Sequence, residues 1–415
     1  MRKRKRSSCL GYLLGVVFVV SVVAAGIYAL TEHSNVVQEV TNVLGIAPIK
    51  VPFQKITIKE ESLQSKYYYH QLQDSDRIIY QELLQGIRTN AKEIYVHTTD
   101  NDKLQKIYRY VLYDAPEIFW CQGSGTSNVY EKGMGGNPGY IVLMPEYQYD
   151  ETAKETKQQE IEQAVTACLS NVPSDSTEYE KIKYVYEYII NHTTYNQLAA
   201  DNQNIYSVFI NQESVCAGYS KAMQYLLEKM GIFCTYVPGT ATGQEAHAWN
   251  LVQCDGAYYY VDVTWGDPVF LQEEATTQDN TVIEDAVTED TITYDYLCCT
   301  DEDILRTHTL SEDITYPPCT STTYNYYILN GLYYETYNRN QILNSMYESI
   351  DNQQPRSVFK FSSTEVYEQA HYEIVDELIQ KATQYIGTQY HLSEVRYSYQ
   401  DEAELNKITV YWNYE

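Results

Sequence analysis

The sequence predicts an α+β fold for the centre of the chain, and two patterns between Val215 and Asp267 carry that prediction. Apolar residues recur at helical spacing after Cys216, and the pattern ends at Gly231. Two strand-like runs then flank Asp255-Gly256, a dipeptide typical of a two-residue hairpin turn. A helix packed on an antiparallel sheet accommodates both patterns.

The predicted helix carries a cysteine in its first turn. It runs from about Cys216 to Met230, and its buried face is expected to comprise Tyr219, Ala222, Met223, Leu226, Leu227 and Met230. Free backbone N–H groups and the positive end of the helix dipole favour a thiolate there and can stabilise an oxyanion. The alternative is that Cys216 is a small apolar residue in the core.

The hairpin places a histidine and an aspartate together. A two-residue turn at Asp255-Gly256 sets the register, so that His247 faces Thr264 and lies diagonal to Asp262 on one face of the sheet. A loop one residue longer would move Asp262 to the opposite face. The register therefore predicts that His247 and Asp262 share a face.

Cys216, His247 and Asp262 together suit nucleophilic catalysis. A thiolate at Cys216 would attack a carbonyl carbon, and His247 would take the thiol proton and later give a proton to the leaving amine. Asp262 would fix the imidazole tautomer and favour its charged form. Each residue alone is weak evidence, since a single histidine in a strand is usually structural.

The first 30 residues are expected to form a membrane anchor. Five consecutive basic residues, Arg2 to Arg6, precede Cys9–Leu30, a run of 22 residues without charge. That length spans a bilayer as a helix, and the basic cluster orients the N-terminus towards the cytoplasm. The alternative is a cleaved signal peptide, with small residues at Ala24, Ala25 and Gly26 as the cleavage site.

Changes in composition divide the remaining chain. The predicted segments are a stalk at 31–60, an N-terminal α/β region at 61–172, a central core at 173–322 with an acidic insertion at 274–292, and a C-terminal α/β region at 323–415. The run Ala115–Trp120 is expected to lead from a helix into a strand, Tyr324–Leu329 to form a strand, and roughly Ser363 to Tyr385 a helix. Asp175 and Glu178 resemble a capping box for the helix that follows.

Charge, cysteine spacing and loop composition argue against nucleic acid, a metal or a cofactor as a ligand of this chain. After residue 30 the chain has 24 basic and 56 acidic residues, a net charge of −32, which argues against nucleic acid as a partner. None of the eight cysteines in that part forms a CxxC pair, and no loop carries a calcium-type series of oxygen ligands. We therefore expect no metal and no cofactor.

Three segments carry a resemblance to a known family. V-C-A-G-Y-S-K-A-M, H-A-W-N and V-D-V-T-W-G-D-P resemble the core of the transglutaminase-like superfamily, over about residues 174–310. P-E-I-F-W, Y-D-Y-L and R-T-H resemble, more weakly, flanking regions of membrane-anchored bacterial members. The resemblance implies a papain-like α+β core with Cys216, His247 and Asp262 as catalytic residues.

Other parts of the expected site are less defined. Gln212, four residues before the cysteine, is a candidate second oxyanion donor, and the alternative is a polar loop residue. Trp249 and Trp265 either wall the cleft or pack in the core.

The predicted function is that of an extracytoplasmic cysteine enzyme that acts on peptide or amide bonds through a thioester. Its substrate would be a protein or peptide, such as a cell-wall or surface protein. Hydrolysis is preferred over amine transfer, because bacterial relatives resemble proteases more often than cross-linking enzymes. The alternative is a cell-surface binding or scaffolding module that has the fold without turnover.

Overall fold

The computed structural model describes residues 51–131, 139–267, 292–311, 314–392 and 394–414. They form two compact units: residues 51–63, 69–111 and 123–147 in one, and residues 64–68, 112–122 and those from 148 onwards in the other. The predicted span Cys9–Leu30, the stalk before residue 51 and the insertion before Ile292 lie outside the described residues. Within the described ranges, no helix is both long and apolar enough to cross a membrane.

A three-stranded sheet forms the centre of the first unit, in the order β1-β3-β2. The strands are β1 Ile94–Val96, β2 Cys121–Tyr130 and β3 Tyr140–Tyr147. The longer helices of this region are Asp74–Arg88 and Asn101–Asp114, and short helical turns cover Glu60–Leu63 and Tyr67–His70. Asp74–Arg88 buries an apolar face that includes Ile79, Leu83 and Ile87. As predicted, the run Ala115–Trp120 leads from the helix Asn101–Asp114 into a strand, which begins at Cys121.

The second unit contains two four-stranded sheets and most of the helices. Its longer helices are Glu151–Leu169, Glu178–His192, Cys216–Lys229, Arg339–Asp351, Thr364–Glu373 and Ile379–Tyr390. Short helical turns cover Ser207–Asn211, Thr264–Gly266, Asp301–Ile304, Tyr326–Leu329, Ile374–Leu378 and Ala403–Leu405. Its strands are β4 Thr194–Tyr195, β5 Glu213–Ser214, β6 Cys234–Ala241, β7 Ala246–Cys254, β8 Ala257–Val261, β9 His308–Leu310, β10 Tyr333–Tyr334, β11 Arg356–Phe361, β12 Tyr397–Glu402 and β13 Lys407–Trp412.

The central sheet has the order β8-β7-β6-β9, and all its neighbouring strands are antiparallel. Cys216–Lys229, the cysteine helix, packs on β6 and β7. This arrangement confirms the predicted helix on an antiparallel sheet. The helix ends before Gly231, which has a φ of +76°, a conformation that glycine adopts without strain. Five of the six residues predicted on its buried face are fully buried, and Met230 is half-buried.

The hairpin register is confirmed as far as Val261. Cys254 pairs with Ala257 and Asn250 with Val261, while Asp255 and Gly256 both have positive φ, as this turn type requires. The predicted pairing of His247 with Thr264 does not form, because β8 ends at Val261. Residues 264–266 form a helical turn instead.

The segment 292–311 returns to the central sheet. The backbone N–H of Asp262 donates to the carbonyl of Tyr296 at 2.9 Å, and Tyr260 and Cys299 exchange two backbone hydrogen bonds of 3.0 Å. Strand β9 then pairs with β6, with His308 opposite Ala241. Both ends of this segment are therefore bound next to Asp262 and His247.

A second sheet, in the order β10-β11-β13-β12, forms the C-terminal part of this unit. The predicted long helix is interrupted: it consists of Thr364–Glu373 and Ile379–Tyr390, joined by a wider turn at Ile374–Leu378. The predicted strand at Tyr324–Leu329 is wrong, because Asn325 caps a helical turn there by accepting two backbone N–H groups. The predicted capping box also lies two residues later, at Thr177 and Glu180.

Candidate active site

Cys216 is the first residue of its helix, and the chain before it is held tightly. Val215 is extended, its N–H donates to the carbonyl of Asn202 at 3.1 Å, and the Ser214 hydroxyl donates to the same carbonyl at 2.8 Å. A Cβ on Gly218 would lie 1.9 Å from the Ser214 Oγ. Glycine at 218 therefore allows the strand before the cysteine to lie against the first helical turn.

Cys216 differs from the other described cysteines in its exposure. It is half-buried, whereas Cys121, Cys168, Cys234, Cys254, Cys298, Cys299 and Cys319 are buried, and all eight are free thiols. Burial raises the thiol pKa of Cys168 to about 11 and that of Cys254 to about 12, and raises those of Cys234, Cys298, Cys299 and Cys319 above their usual range as well. Among the described thiols, Cys216 is thus the accessible one.

Two hydrogen bonds fasten the cysteine helix to strand β7 beside His247. The Ser220 hydroxyl lies 2.9 Å from the carbonyl of Ala248. In the other direction, the Asn250 side chain donates to the carbonyl of Ser220 at 2.9 Å. Both side chains are buried, so these polar contacts fix the position of the helix along the strand.

His247 contacts both of its predicted partners. Its Nε2 lies 2.6 Å from Oδ2 of Asp262, and Cys216 acts on the same ring as a hydrogen-bond and charge partner. Burial would lower the pKa of His247, but Asp262 and Cys216 together outweigh burial and raise it to about 10. The structure therefore brings Cys216, His247 and Asp262 together, with a cationic imidazole between thiol and carboxylate at neutral pH.

Asp262 is a fully buried anion that accepts several hydrogen bonds. Its Oδ1 accepts the backbone N–H groups of Thr264 at 2.9 Å and Trp265 at 3.2 Å, which come from the turn that ends β8. Burial alone would raise the pKa of Asp262, yet His247 and His308 lower it well below its usual range. The early end of β8 thus supplies two donors that an extended strand would not.

A second imidazole, which the sequence-based prediction missed, also contacts Asp262. His308 Nε2 lies 3.0 Å from the same Oδ2, and the side chains of both residues are fully buried. In the sequence, His308 is part of R-T-H, a segment that resembles a flanking region of the family only weakly. His247, Asp262 and His308 also place three possible metal-ligand atoms within 4.8 Å of one another. Each imidazole is within hydrogen-bonding distance of the carboxylate, and the prediction that no metal is required stays a prediction.

Aromatic rings enclose the two histidines. The rings of Trp249 and Trp265 lie 5.0 and 4.9 Å from that of His308, between ring centres. Trp249 is completely buried, which confirms core packing for this residue, and Trp265 is 9 % exposed. Their rings exclude water from the carboxylate and so strengthen its interactions.

Gln212 is an exposed residue that lies beside His192. It adopts a left-handed conformation with a φ of +59°, and its side-chain amide lies 3.0 Å from Nε2 of His192 on the surface. Its assignment as an oxyanion donor stays a prediction. The backbone N–H groups at the start of the cysteine helix remain the candidates that the fold places beside the sulfur.

Comparison with known proteins gives a family for the central region. Residues 148–263 match the model of the transglutaminase-like superfamily. Kyphoscoliosis peptidase of Homo sapiens is 26 % identical over 106 residues, which are 22 % of this chain and 16 % of that protein. The Mus musculus protein is 25 % identical over 122 residues, covering 26 % of this chain and 18 % of its own length. The match thus spans less than a fifth of these relatives.

Solved structures add more distant similarities. A structure described as a TGase is 17 % identical, with a TM-score of 0.25 and coverage of 41 % of this chain and 50 % of that one. The periplasmic domain of TgpA from Pseudomonas aeruginosa is 15 % identical, with a TM-score of 0.23 and coverage of 34 % and 58 %. With such TM-scores these two similarities carry no argument. The family match includes Cys216, His247 and Asp262 and ends before His308. Residues 148–263 of this chain are therefore similar to the transglutaminase-like superfamily.

Proposed function

We propose that the chain is an extracytoplasmic cysteine enzyme that cleaves peptide or amide bonds through a thioester on Cys216. The observation that carries this proposal is the contact of His247 with both the accessible thiol and a fully buried carboxylate. A buried structural histidine needs a hydrogen-bond partner but not an accessible thiol as a second one. Burying Asp262 as an anion is costly unless several donors satisfy it.

The reaction follows from these contacts. Beside the protonated His247, the thiolate of Cys216 attacks the substrate carbonyl to form a tetrahedral oxyanion. His247 then protonates the leaving amine as the C–N bond breaks, which leaves the acyl group on sulfur. In the second half, His247 takes a proton from water, the resulting hydroxide attacks the thioester, and the carboxylic acid and the thiol are released. Asp262 holds the imidazole and its charge throughout.

Water or an amine can resolve the same thioester, and we propose that water does. The enzyme is anchored by Cys9–Leu30 with its N-terminus in the cytoplasm, so its substrates are wall or surface proteins. The net charge of −32 beyond residue 30 disfavours nucleic acid and anionic lipid surfaces and suits a neutral or cationic peptide.

Product analysis tests the proposal. The full-length chain in detergent and its Cys216→Ala variant are incubated with cell-wall and surface-protein fractions, with and without the primary amine dansylcadaverine, and products are identified by mass spectrometry. Wild-type-specific cleavage without amine incorporation is expected. Dansyl-labelled glutamine side chains would indicate transfer instead, and identical products from both proteins would favour a binding module without turnover.

A further inference from the structure

Two imidazoles share one carboxylate oxygen at the candidate active site. His247 Nε2 and His308 Nε2 lie 2.6 and 3.0 Å from Oδ2 of Asp262, and the two rings are 5.3 Å apart. An ionised carboxylate only accepts hydrogen bonds, so both Nε2 atoms carry a hydrogen. His308 is 46 positions from Asp262 and has no place in the reaction described above.

The other side of the His308 ring is bound to a buried relay. Its Nδ1 lies 2.8 Å from the Thr307 hydroxyl, which lies 2.8 Å from the hydroxyl of Tyr296. Burial raises the pKa of Tyr296 well above its usual value, so that hydroxyl keeps its proton. One assignment gives each of these protons an acceptor: Tyr296 donates to Thr307, Thr307 to Nδ1 of His308, and Nε2–H of His308 to Asp262.

The backbone holds both ends of the relay in place. The carbonyl of Tyr296 accepts a hydrogen bond from the backbone N–H of Asp262, and His308 is paired with Ala241 in the central sheet. The relay therefore meets the Asp262 carboxylate from the side opposite the turn donors of Thr264 and Trp265.

We propose that His308 is a positioning residue, which orients the Asp262 carboxylate so that it holds His247 in line with Cys216. This inference rests on the proposed function. Asp262 Oδ1 is fixed by the turn, and His308 fixes Oδ2 in the same way. Without His308, Oδ2 keeps only the contact with His247, so the carboxylate and the His247 ring are held less firmly.

A pair of variants separates positioning from simple packing. His308→Gln has a side-chain amide nitrogen at about the Nε2 position and keeps the donor to Asp262. His308→Asn keeps an acceptor for Thr307 at about the Nδ1 position but does not reach Asp262. Rates of Cys216 alkylation by iodoacetamide at pH 6, and kcat and KM on fluorescein-labelled casein, are measured on the full-length chain in detergent.

Loss of one hydrogen bond to a charged group predicts that His308→Asn lowers kcat and the alkylation rate about 10- to 100-fold, whereas KM changes by less than about threefold. His308→Gln is expected to stay within about threefold of wild type for both rates. Equal rates for the two variants would overturn the proposal. Thermal unfolding checks that each variant folds.

Two further controls keep the outcomes distinct. Tyr296→Phe removes only the hydroxyl at the far end of the relay and is expected to slow alkylation by at least about threefold. A wild-type rate in that variant overturns the relay, even if His308→Asn fails to fold. If Cys216 of the wild type reacts no faster than the buried thiols, the proposed function itself fails. Equal rates for His308→Gln and His308→Asn would instead overturn only the role of His308.

Discussion

At the residue scale, the site depends on the hydrogen-bond donors that stabilise the charge of Asp262. Four donors meet its carboxylate: two backbone N–H groups on Oδ1 and two imidazoles on Oδ2. These donors allow the buried group to stay ionised, and the charge in turn keeps His247 protonated beside the thiol. The chemistry proposed for Cys216 therefore depends on a buried carboxylate that does not contact the substrate.

The sequence predicted three of the four side chains at this site. Cys216, His247 and Asp262 could be found because a helix start and a hairpin turn leave local signals. His308 could not be placed, because it follows the acidic insertion, and its contact with Asp262 depends on the pairing of β9 with β6. No local pattern determines that pairing.

The stability of the protein should depend on pH through His247. Its pKa is raised from 6.5 to about 10, since Asp262 and Cys216 together outweigh the opposing effect of burial. Because the folded pKa exceeds the unfolded one, the pair stabilises the fold fully below about pH 6.5, and this contribution is lost as pH rises towards 10. His247→Gln cannot titrate and is expected to be less stable than wild type by about 1.5–3 kcal/mol at pH 6.

Urea unfolding of both proteins at pH 6, 8, 9 and 10 measures this difference. It should shrink steadily towards pH 10. A difference that is constant across the range would contradict a raised pKa for His247, because other titrating groups are common to both proteins and cancel.

At the element scale, different sequence signals determine the cysteine helix and the hairpin. The helix follows from apolar spacing and Gly231, and the hairpin register follows from Asp255-Gly256; the structure agrees with both predictions. The end of β8 at Val261 did not follow from sequence. Beyond it, Asp262 pairs with Tyr296 of a later segment, and such tertiary pairing overrides local strand propensity.

A side chain at position 218 should destabilise the cysteine helix. Alanine there would place its Cβ 1.9 Å from Ser214 Oγ and 3.1 Å from the carbonyl of Asn202, so the chain before Cys216 must shift. Gly218→Ala is expected to lower the free energy of unfolding by about 1–3 kcal/mol and to slow Cys216 alkylation.

Gly387 provides a matched control in another helix. An added Cβ there would meet its nearest atoms at 3.5 Å, an ordinary contact. Gly387→Ala is expected to be neutral or stabilising by up to about 1 kcal/mol. Equal destabilisation by the two substitutions, measured by urea unfolding, would contradict close packing at Gly218.

At the scale of the whole molecule, a buried charge cluster ties the C-terminal sheet to the segment that supports the site. Asp295, next to Tyr296, bonds Lys360 of β11 at 3.0 Å and also Lys407 of β13, which in turn lies 2.9 Å from Glu402. Burial would raise the pKa of Asp295, but Lys407 and Lys360 lower it well below its usual range. These partners are far apart in sequence, so composition and periodicity give no sign of them.

Removing one cation should therefore destabilise the protein strongly. Lys407→Ala leaves Asp295 and Glu402 with fewer partners in a buried site and is expected to cost about 3–5 kcal/mol. Arg396→Ala serves as a control, because the Arg396–Glu394 pair is exposed and is expected to contribute less than about 1 kcal/mol. Differential unfolding in urea distinguishes the two, and similar values for both would contradict a structural role for the cluster.

The central claim is that Cys216 is an activated thiol that His247 holds ready for attack. Its most direct test is alkylation of the folded full-length chain with iodoacetamide at pH 6, followed by mass-spectrometric mapping of adducts on all eight described cysteines. Cys216 is predicted to be labelled before the seven buried thiols, and His247→Ala is predicted to abolish this preference. Labelling spread evenly over the cysteines, or a preference that survives His247→Ala, would contradict the claim.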